Sequence, residues 1–221
     1  ENSHLVFPTL TTINQADIPA AVSAVLKLPE PLVKQALKRL IRNKDYGPVE
    51  LLVELHSIPF DSPDLKMVIN AIGFCFANKV AYTSRTVTLA LKRLFNLTPV
   101  PLLLMRSILQ AVAAHPHLAP TVMEMLDGFA NRNNLWDIPR LWDGFIKCCQ
   151  RCRPHSFPVL LKLPGERLAE LLREHNDIAL GIWSFLNDAT LTAKERQRVP
   201  PEILQAICAL QIQQVPGTTT S

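Results

Sequence analysis

Apolar residues recur along this chain every three or four positions, in runs of about ten to seventeen residues. No segment alternates at period two long enough to make a strand, so the pattern predicts an all-α protein. The clearest run is Pro31 to Asn43, where Leu32, Val33, Ala36, Leu37, Leu40 and Ile41 form one stripe. Lys34, Lys38, Arg39 and Arg42 form the other, and Pro31 suits a first helical position that needs no amide. Other helices are expected at 18–27, from Gly47-Pro48 to Ile58, from Pro63 to Val80 behind an Asp61 or Ser62 cap, and from a Thr83 or Ser84 cap to Phe95. Beyond these, Pro99 and Pro101 open a strongly apolar helix that His115-Pro116 closes, and Pro120 begins one that an Asn-rich turn at Asn131 to Asn134 ends. A short helix near Phe157 to Leu161 precedes helices at 165–175, 178–185 and 201–213, with a charged turn or short helix at 192–198.

Between the Asn-rich turn and Phe157 lies the most informative stretch, Leu141 to Pro164. As a helix to Cys152 it places Leu141, Trp142, Phe145, Ile146, Cys149 and Cys152 on one wide apolar stripe. Arg140, Asp143, Lys147, Gln150 and Arg151 fall opposite, and Pro154 stops the helix. One half is built for burial and the other is left for solvent or a partner.

The prolines sit at helix starts and between helices, never deep inside an apolar-periodic run. Short connections imply antiparallel neighbours. Leu26-Lys27-Leu28-Pro29-Glu30 is echoed by Leu161-Lys162-Leu163-Pro164 before Gly165-Glu166, and Ala36-Leu37-Lys38-Arg39-Leu40 recurs verbatim at Ala90 to Leu94. These short, irregular echoes point to a HEAT-like stack of antiparallel helical hairpins, about ten or eleven helices in all. The expected organisation is a loose lead-in over 1–16, one α-helical repeat domain over 17–213, and a disordered tail over 214–221.

Composition narrows the function classes. Apolar residues make up 48% and charged residues 19%, a globular balance, and 7 glycines against 18 prolines disfavour phosphate-cradling loops. The net charge of +4 permits an acidic partner without demanding one. There is no apolar run of about 18 residues and no signal pattern, so the chain reads as soluble with no address of its own. The odd cysteine count (Cys75, Cys148, Cys149, Cys152, Cys208) reads as reduced, buried thiols.

Cys148, Cys149, Cys152 and His155 are the sharpest candidates for chemistry. Zinc needs four converging ligands, but adjacent residues on a helix point about 100° apart, so Cys148 and Cys149 cannot share an ion without unwinding it. A nucleophilic thiol needs exposure, and Cys148, flanking the stripe, is the only one for which the pattern leaves that open; no His and Asn or Asp can be assigned to it as a triad. Glu50 with Glu54, and Glu166 with Glu170 and Glu174, are i, i+4 ladders that normally serve solvation. His56, His115, His117 and His175 stand isolated in the sequence.

The basic faces remain. Lys34, Lys38 and Arg42 make one stripe, Arg140, Lys147 and Arg151 another, and Arg85, Lys92 and Arg93 a third cluster. They serve solvation, an acidic protein segment, or RNA. RNA recognition usually adds aromatic platforms. Here the tryptophans and most phenylalanines fall on apolar stripes, which favours protein.

The run LLLMRS at Leu102 to Ser107, inside Val100 to Ala111, and the segment Trp142…Gly144-Phe145-Ile146-Lys147-Cys148-Cys149-Gln150-Arg151 resemble the C-terminal domain of the symplekin family. Pro154, Ser156-Phe157 and Leu161 to Pro164 extend the likeness, and weaker similarity runs from about Pro31 through Leu204. The resemblance implies a nuclear, non-enzymatic, cofactor-free helical-repeat scaffold of pre-mRNA 3′-end cleavage and polyadenylation. It also implies partners: the endonuclease subunit of cleavage and polyadenylation specificity factor, its inactive nuclease-like companion, and cleavage stimulation factor. The family's N-terminal repeat domain, which holds a phosphatase, has no counterpart here. The resemblance supplies no docking residues, so the partner-binding candidates rest on the amphipathic pattern: Arg140, Lys147, Gln150, Arg151 and Arg153, with Lys34, Lys38 and Arg42.

Overall fold

A computed structural model describes residues 9–59, 62–133 and 135–187. Among them are eleven α-helices and no β-strand, only an isolated bridge between Asn43 and Tyr46. The helices are α1 (Ile18–Leu26), α2 (Glu30–Leu40), α3 (Pro48–Ser57), α4 (Leu65–Ala77), α5 (Ser84–Leu94) and α6 (Leu104–Ala114), followed by α7 (Ala119–Asn133), α8 (Pro139–Arg151), α9 (Phe157–Leu160), α10 (Gly165–Glu174) and α11 (Asn176–Leu186). The expected helix at 201–213, the turn at 192–198 and the tail over 214–221 lie outside the described residues. The described chain groups into two compact units that divide between Leu118 and Ala119.

In the first unit, α1 packs on α2, α3 on α4, and α5 on α6, three consecutive hairpins. Alternate helices also touch: α1, α3 and α5 form one layer, and α2, α4 and α6 the other. This is the two-layer stacking of a HEAT-like array, with each hairpin burying the apolar face that its neighbour leaves open. Leu40, Leu51, Leu52, Leu55, Ile72 and Leu91 are fully buried between the layers. In the second unit, α9 packs on α7, α10 on α11, and α8 on the 3-10 turn Leu135–Asp137.

Local chemistry fixes the helix starts. Thr83 caps α5 through its side chain, which accepts the Thr86 amide at 3.3 Å. Glu50 closes a capping arrangement at α3 by accepting the Gly47 amide at 3.1 Å. The start of α4 differs from expectation: it begins at Leu65, because Ser62 accepts the Asp64 amide at 3.2 Å and holds 62–64 in a turn. In the second unit α7 runs through Asn133, so the expected Asn-rich turn is largely helix.

Both sequence echoes mark repeated structure. Pro29 (φ −55°, ψ 144°) and Pro164 (φ −51°, ψ 137°) lead into α2 and α10 with nearly the same extended backbone. The repeated pentapeptide forms the last turns of α2 and α5, burying Ala36, Leu37 and Leu40 in one and Ala90, Leu91 and Leu94 in the other. Residues 9–16, expected within a loose lead-in, instead carry the buried Leu10, and the Asn43 side-chain amide donates to the carbonyls of Leu10 (3.4 Å) and Ile13 (3.0 Å).

Candidate functional site

The second unit presents α8, whose apolar stripe is buried as its periodicity demands. Leu141, Phe145, Ile146, Cys149 and Cys152 are all closed to solvent. Trp142 departs from expectation: within the stripe but in the first turns of α8, it is half-buried, stacked on Phe145 with ring centroids 5.5 Å apart. Where α8 ends, Cys152 folds its amide back to the Cys148 carbonyl at 3.0 Å, and the buried Ser156 hydroxyl donates to the Cys149 carbonyl at 2.7 Å. That bond satisfies a helix-end acceptor, a role for Ser156 that no periodicity announces.

The cysteines of the described residues are buried, free thiols, as the sequence reading has them. Cys148, the one thiol whose exposure the sequence left open, is 0% exposed, which closes the nucleophile alternative. Burial pushes the Cys148 and Cys149 thiols above their ordinary range, Cys75 up to about 12 and Cys152 up to about 11. Such thiols stay protonated and are poor nucleophiles and poor metal ligands. Among the described residues no group of three or more His, Cys, Asp or Glu side chains is gathered as a metal site. Cys208 lies outside the described residues.

The outer face of α8 carries Arg140, Asp143, Lys147 and Arg151, all exposed. Arg140, Lys147 and Arg151 follow at spacings of seven and four, so they align in one row along the helix. Lys147 and Arg151 make no ion pair among the described residues. Gln150 and Arg153 do not share that freedom. Both reach Asp177 on α11: Gln150 donates to its carboxylate at 3.3 Å, and Arg153 forms a charged hydrogen bond to the same oxygen. The Arg153 bond holds the Asp177 carboxyl below the usual carboxylate range. These two predicted partner-binding residues therefore clamp α8's end to α11.

In the first unit, Lys34, Lys38 and Arg42 are exposed along one side of α2 and just past it. Lys34 pairs with Glu30 at 2.8 Å and sits 4.4 Å over the Phe74 ring on α4. Lys38 and Arg42 make no ion pair among the described residues. In the third cluster Arg93 is committed to Glu50 at 2.7 Å, bridging α5 and α3. Glu50 is thus no solvating ladder rung. Burial pushes its carboxyl up, but hydrogen bonds from its own backbone, Arg93 and Gly47 outweigh that and hold it low.

Two histidines read as isolated in the sequence are tied in. His115 donates from Nε2 to the Tyr82 carbonyl at 2.9 Å. His56, buried on α3, donates from Nδ1 to the Leu52 carbonyl at 2.7 Å, so its Nε2 accepts the Ser107 hydroxyl at 2.8 Å. The spacing is that of a Ser–His dyad, but Ser107 is 0% and His56 5% exposed, which closes the pair to substrate. It is a buried strut between α3 and α6.

The profile of the family described as symplekin tight junction protein, C terminal, matches residues 2–175. The match takes in the early residues that the sequence likeness left out, and it stops short of 176–204. No solved structure matches this chain.

Proposed function

Because the chain belongs to the symplekin C-terminal family, we propose that it is a non-enzymatic docking domain of the nuclear pre-mRNA 3′-end processing machinery. Family membership itself points to a scaffold of that machinery. The finer reading is that the α8 face, centred on Lys147 and Arg151, binds the endonuclease subunit of cleavage and polyadenylation specificity factor, its inactive companion, or cleavage stimulation factor. The observation that carries it is the contrast along one helix end. Arg153 and Gln150 are spent on Asp177, whereas Lys147 and Arg151 stand exposed and unpaired among the described residues. Exposed cations held in a row on a rigid helix suit an acidic protein surface, where they govern encounter rate and salt dependence. The fully buried Cys148 and the closed Ser107–His56 pair support a binding role over a catalytic one.

The test is co-purification with the candidate subunits using Lys147→Glu with Arg151→Glu. Binding about tenfold weaker or worse, with melting unchanged, is expected. Unaltered binding would place the docking face elsewhere. The competing reading, RNA binding through the basic faces, predicts micromolar affinity for single-stranded RNA with a steep salt slope. The aromatic rings beside these cations favour protein, since Lys34 already covers Phe74 and Trp142 already stacks on Phe145.

A further inference from the structure

Between α2 and α4, in the layer built from the second helices of the hairpins, lies a cavity of about 480 Å³. Its floor is apolar: Leu37, Leu51 and Tyr82 are buried there. Its rim is cationic, with Lys34 and Lys38 one turn apart on α2 and Lys79 just beyond the end of α4. Among the described residues no acidic side chain lines it. At its mouth Val80 is 91% exposed, the most solvent-open of the large apolar side chains among the described residues.

These features belong together. A cavity of this size admits more than one large side chain, and its floor offers apolar surface that only an apolar group improves on. An isopropyl group in water beside it gains nothing from the fold as it stands, and loses that exposure when a ligand covers the mouth. Three lysines around one opening repel one another unless an anion is shared among them, and among the described residues only Lys34 of the three has a carboxylate partner, Glu30. A bare hydrophobic ligand would leave the lysines unanswered, and a bare anion would leave the floor empty. The complementary ligand has an apolar anchor flanked by negative charge. A nucleobase fits poorly, because the Phe74 face is already occupied by the Lys34 ammonium, and Tyr82 is buried beside the Cys75 thiol rather than offered as a platform.

We propose that this α2–α4 groove is a second docking site, taking an acidic peptide segment of a partner protein with an aliphatic or aromatic anchor in the cavity and carboxylates on Lys38 and Lys79. It rests on the reading of this chain as a docking module, but not on the α8 face.

Display of random twelve-residue peptides against the intact chain tests it, followed by fluorescence polarisation of the enriched peptides. The expected winners carry Leu, Phe or Trp among Asp and Glu. Their binding should weaken at least about tenfold in Lys38→Glu with Lys79→Glu, and also in Val80→Asp, with melting unchanged in both because these side chains are exposed. Lys147→Glu with Arg151→Glu should retain full peptide binding, so failure of the α8 reading and failure of this one are separately visible. The proposal is overturned if acidic–apolar peptides are not enriched, or if both groove variants bind them as well as the native chain. It is equally overturned if oligouridine, rather than peptide, binds and is lost in Lys38→Glu with Lys79→Glu.

Discussion

Acidification should loosen this fold through one side chain, His56. Burial pushes its pKa down to about 4, against the upward pull of the Leu52 and Leu103 carbonyls. In the unfolded chain an ordinary histidine titrates near about 6.5. Between those values the unfolded state binds the proton and the folded state refuses it, so stability is complete above about pH 6.5 and falls as pH drops. A tenfold difference in proton affinity between the two states is worth about 1.4 kcal/mol, so the whole loss is about 3 kcal/mol, with about 2 kcal/mol gone by about pH 5. For a chain of this size that lowers the melting temperature by about 4–8 °C relative to about pH 7.5. Urea unfolding followed by circular dichroism at the two pH values reads the difference directly. Carboxylates such as Glu50 and Asp177, held low in the fold, also cost stability on acidification, but chiefly at lower pH. The control is His56→Leu with Ser107→Ala, which removes the titrating ring and its hydroxyl partner together and avoids an orphaned donor. Its stability should be nearly flat across the same interval. A native chain that loses less than about 0.5 kcal/mol, or a variant whose loss runs parallel to the native chain's, would refute the reasoning.

Other expectations follow from the same contacts. Trp142→Ala should cost about 1–2 kcal/mol by chemical denaturation, below the 3–5 typical of a buried indole, because its ring is half-buried and stacked on Phe145. Gly181→Ala on α11 should destabilise by about 1–2 kcal/mol, since a Cβ there would lie 2.7 Å from the Phe157 ring. Gly165→Ala, with nothing within 4 Å of its Cβ, should be neutral or gain about 0.5 kcal/mol, and thermal melts of the pair show the contrast. Cys75, Cys148, Cys149 and Cys152 should resist a thiol reagent at about pH 8 and react on unfolding, because burial keeps them protonated and covered; rapid labelling of Cys148 in the native chain, located by mass spectrometry, would contradict its burial.

The helices were legible because each apolar stripe repeats within one element and is repeated by the next. Capping residues placed most starts within two residues, and Ser62 misled only because its hydroxyl serves a turn ahead of α4 instead of the helix itself. What stayed hidden depends on residues far apart in the chain. Cys148 falls beside Leu141 at the margin of the α8 stripe, with Gly144 and Arg151 on its other side, and whether such a marginal position is covered depends on what packs against it. The commitment of Arg153 to Asp177 spans 24 residues, that of Arg93 to Glu50 spans 43, and that of His56 to Ser107 spans 51. Each removes a residue from the pool that a sequence reading leaves open to a partner or to chemistry.

The repeated pentapeptide shows where local sequence stops deciding function. In α2 and α5 its Ala and Leu residues are buried alike, and its basic residues come out on the same side of the same last turns. Two different positions of the motif then meet different neighbours: Arg93, its fourth residue on α5, and Lys38, its third on α2. On α5, Arg93 meets Glu50 of the neighbouring helix in its layer and is neutralised in a bridge that joins two hairpins. On α2 the corresponding neighbour is α4, which offers Phe74, Ala77 and Lys79 in place of a carboxylate, and Lys38 is left on the rim of an apolar cavity. Arg93 closes an interface within the array, whereas Lys38 borders an opening. A charge-reversal pair separates them: Arg93→Glu places two carboxylates together and should lower stability, whereas Lys38→Glu should leave the melt within about 0.5 kcal/mol and change only what the groove binds. Equal destabilisation by the two would mean that Lys38 serves the fold, and the groove would lose its claim to a partner.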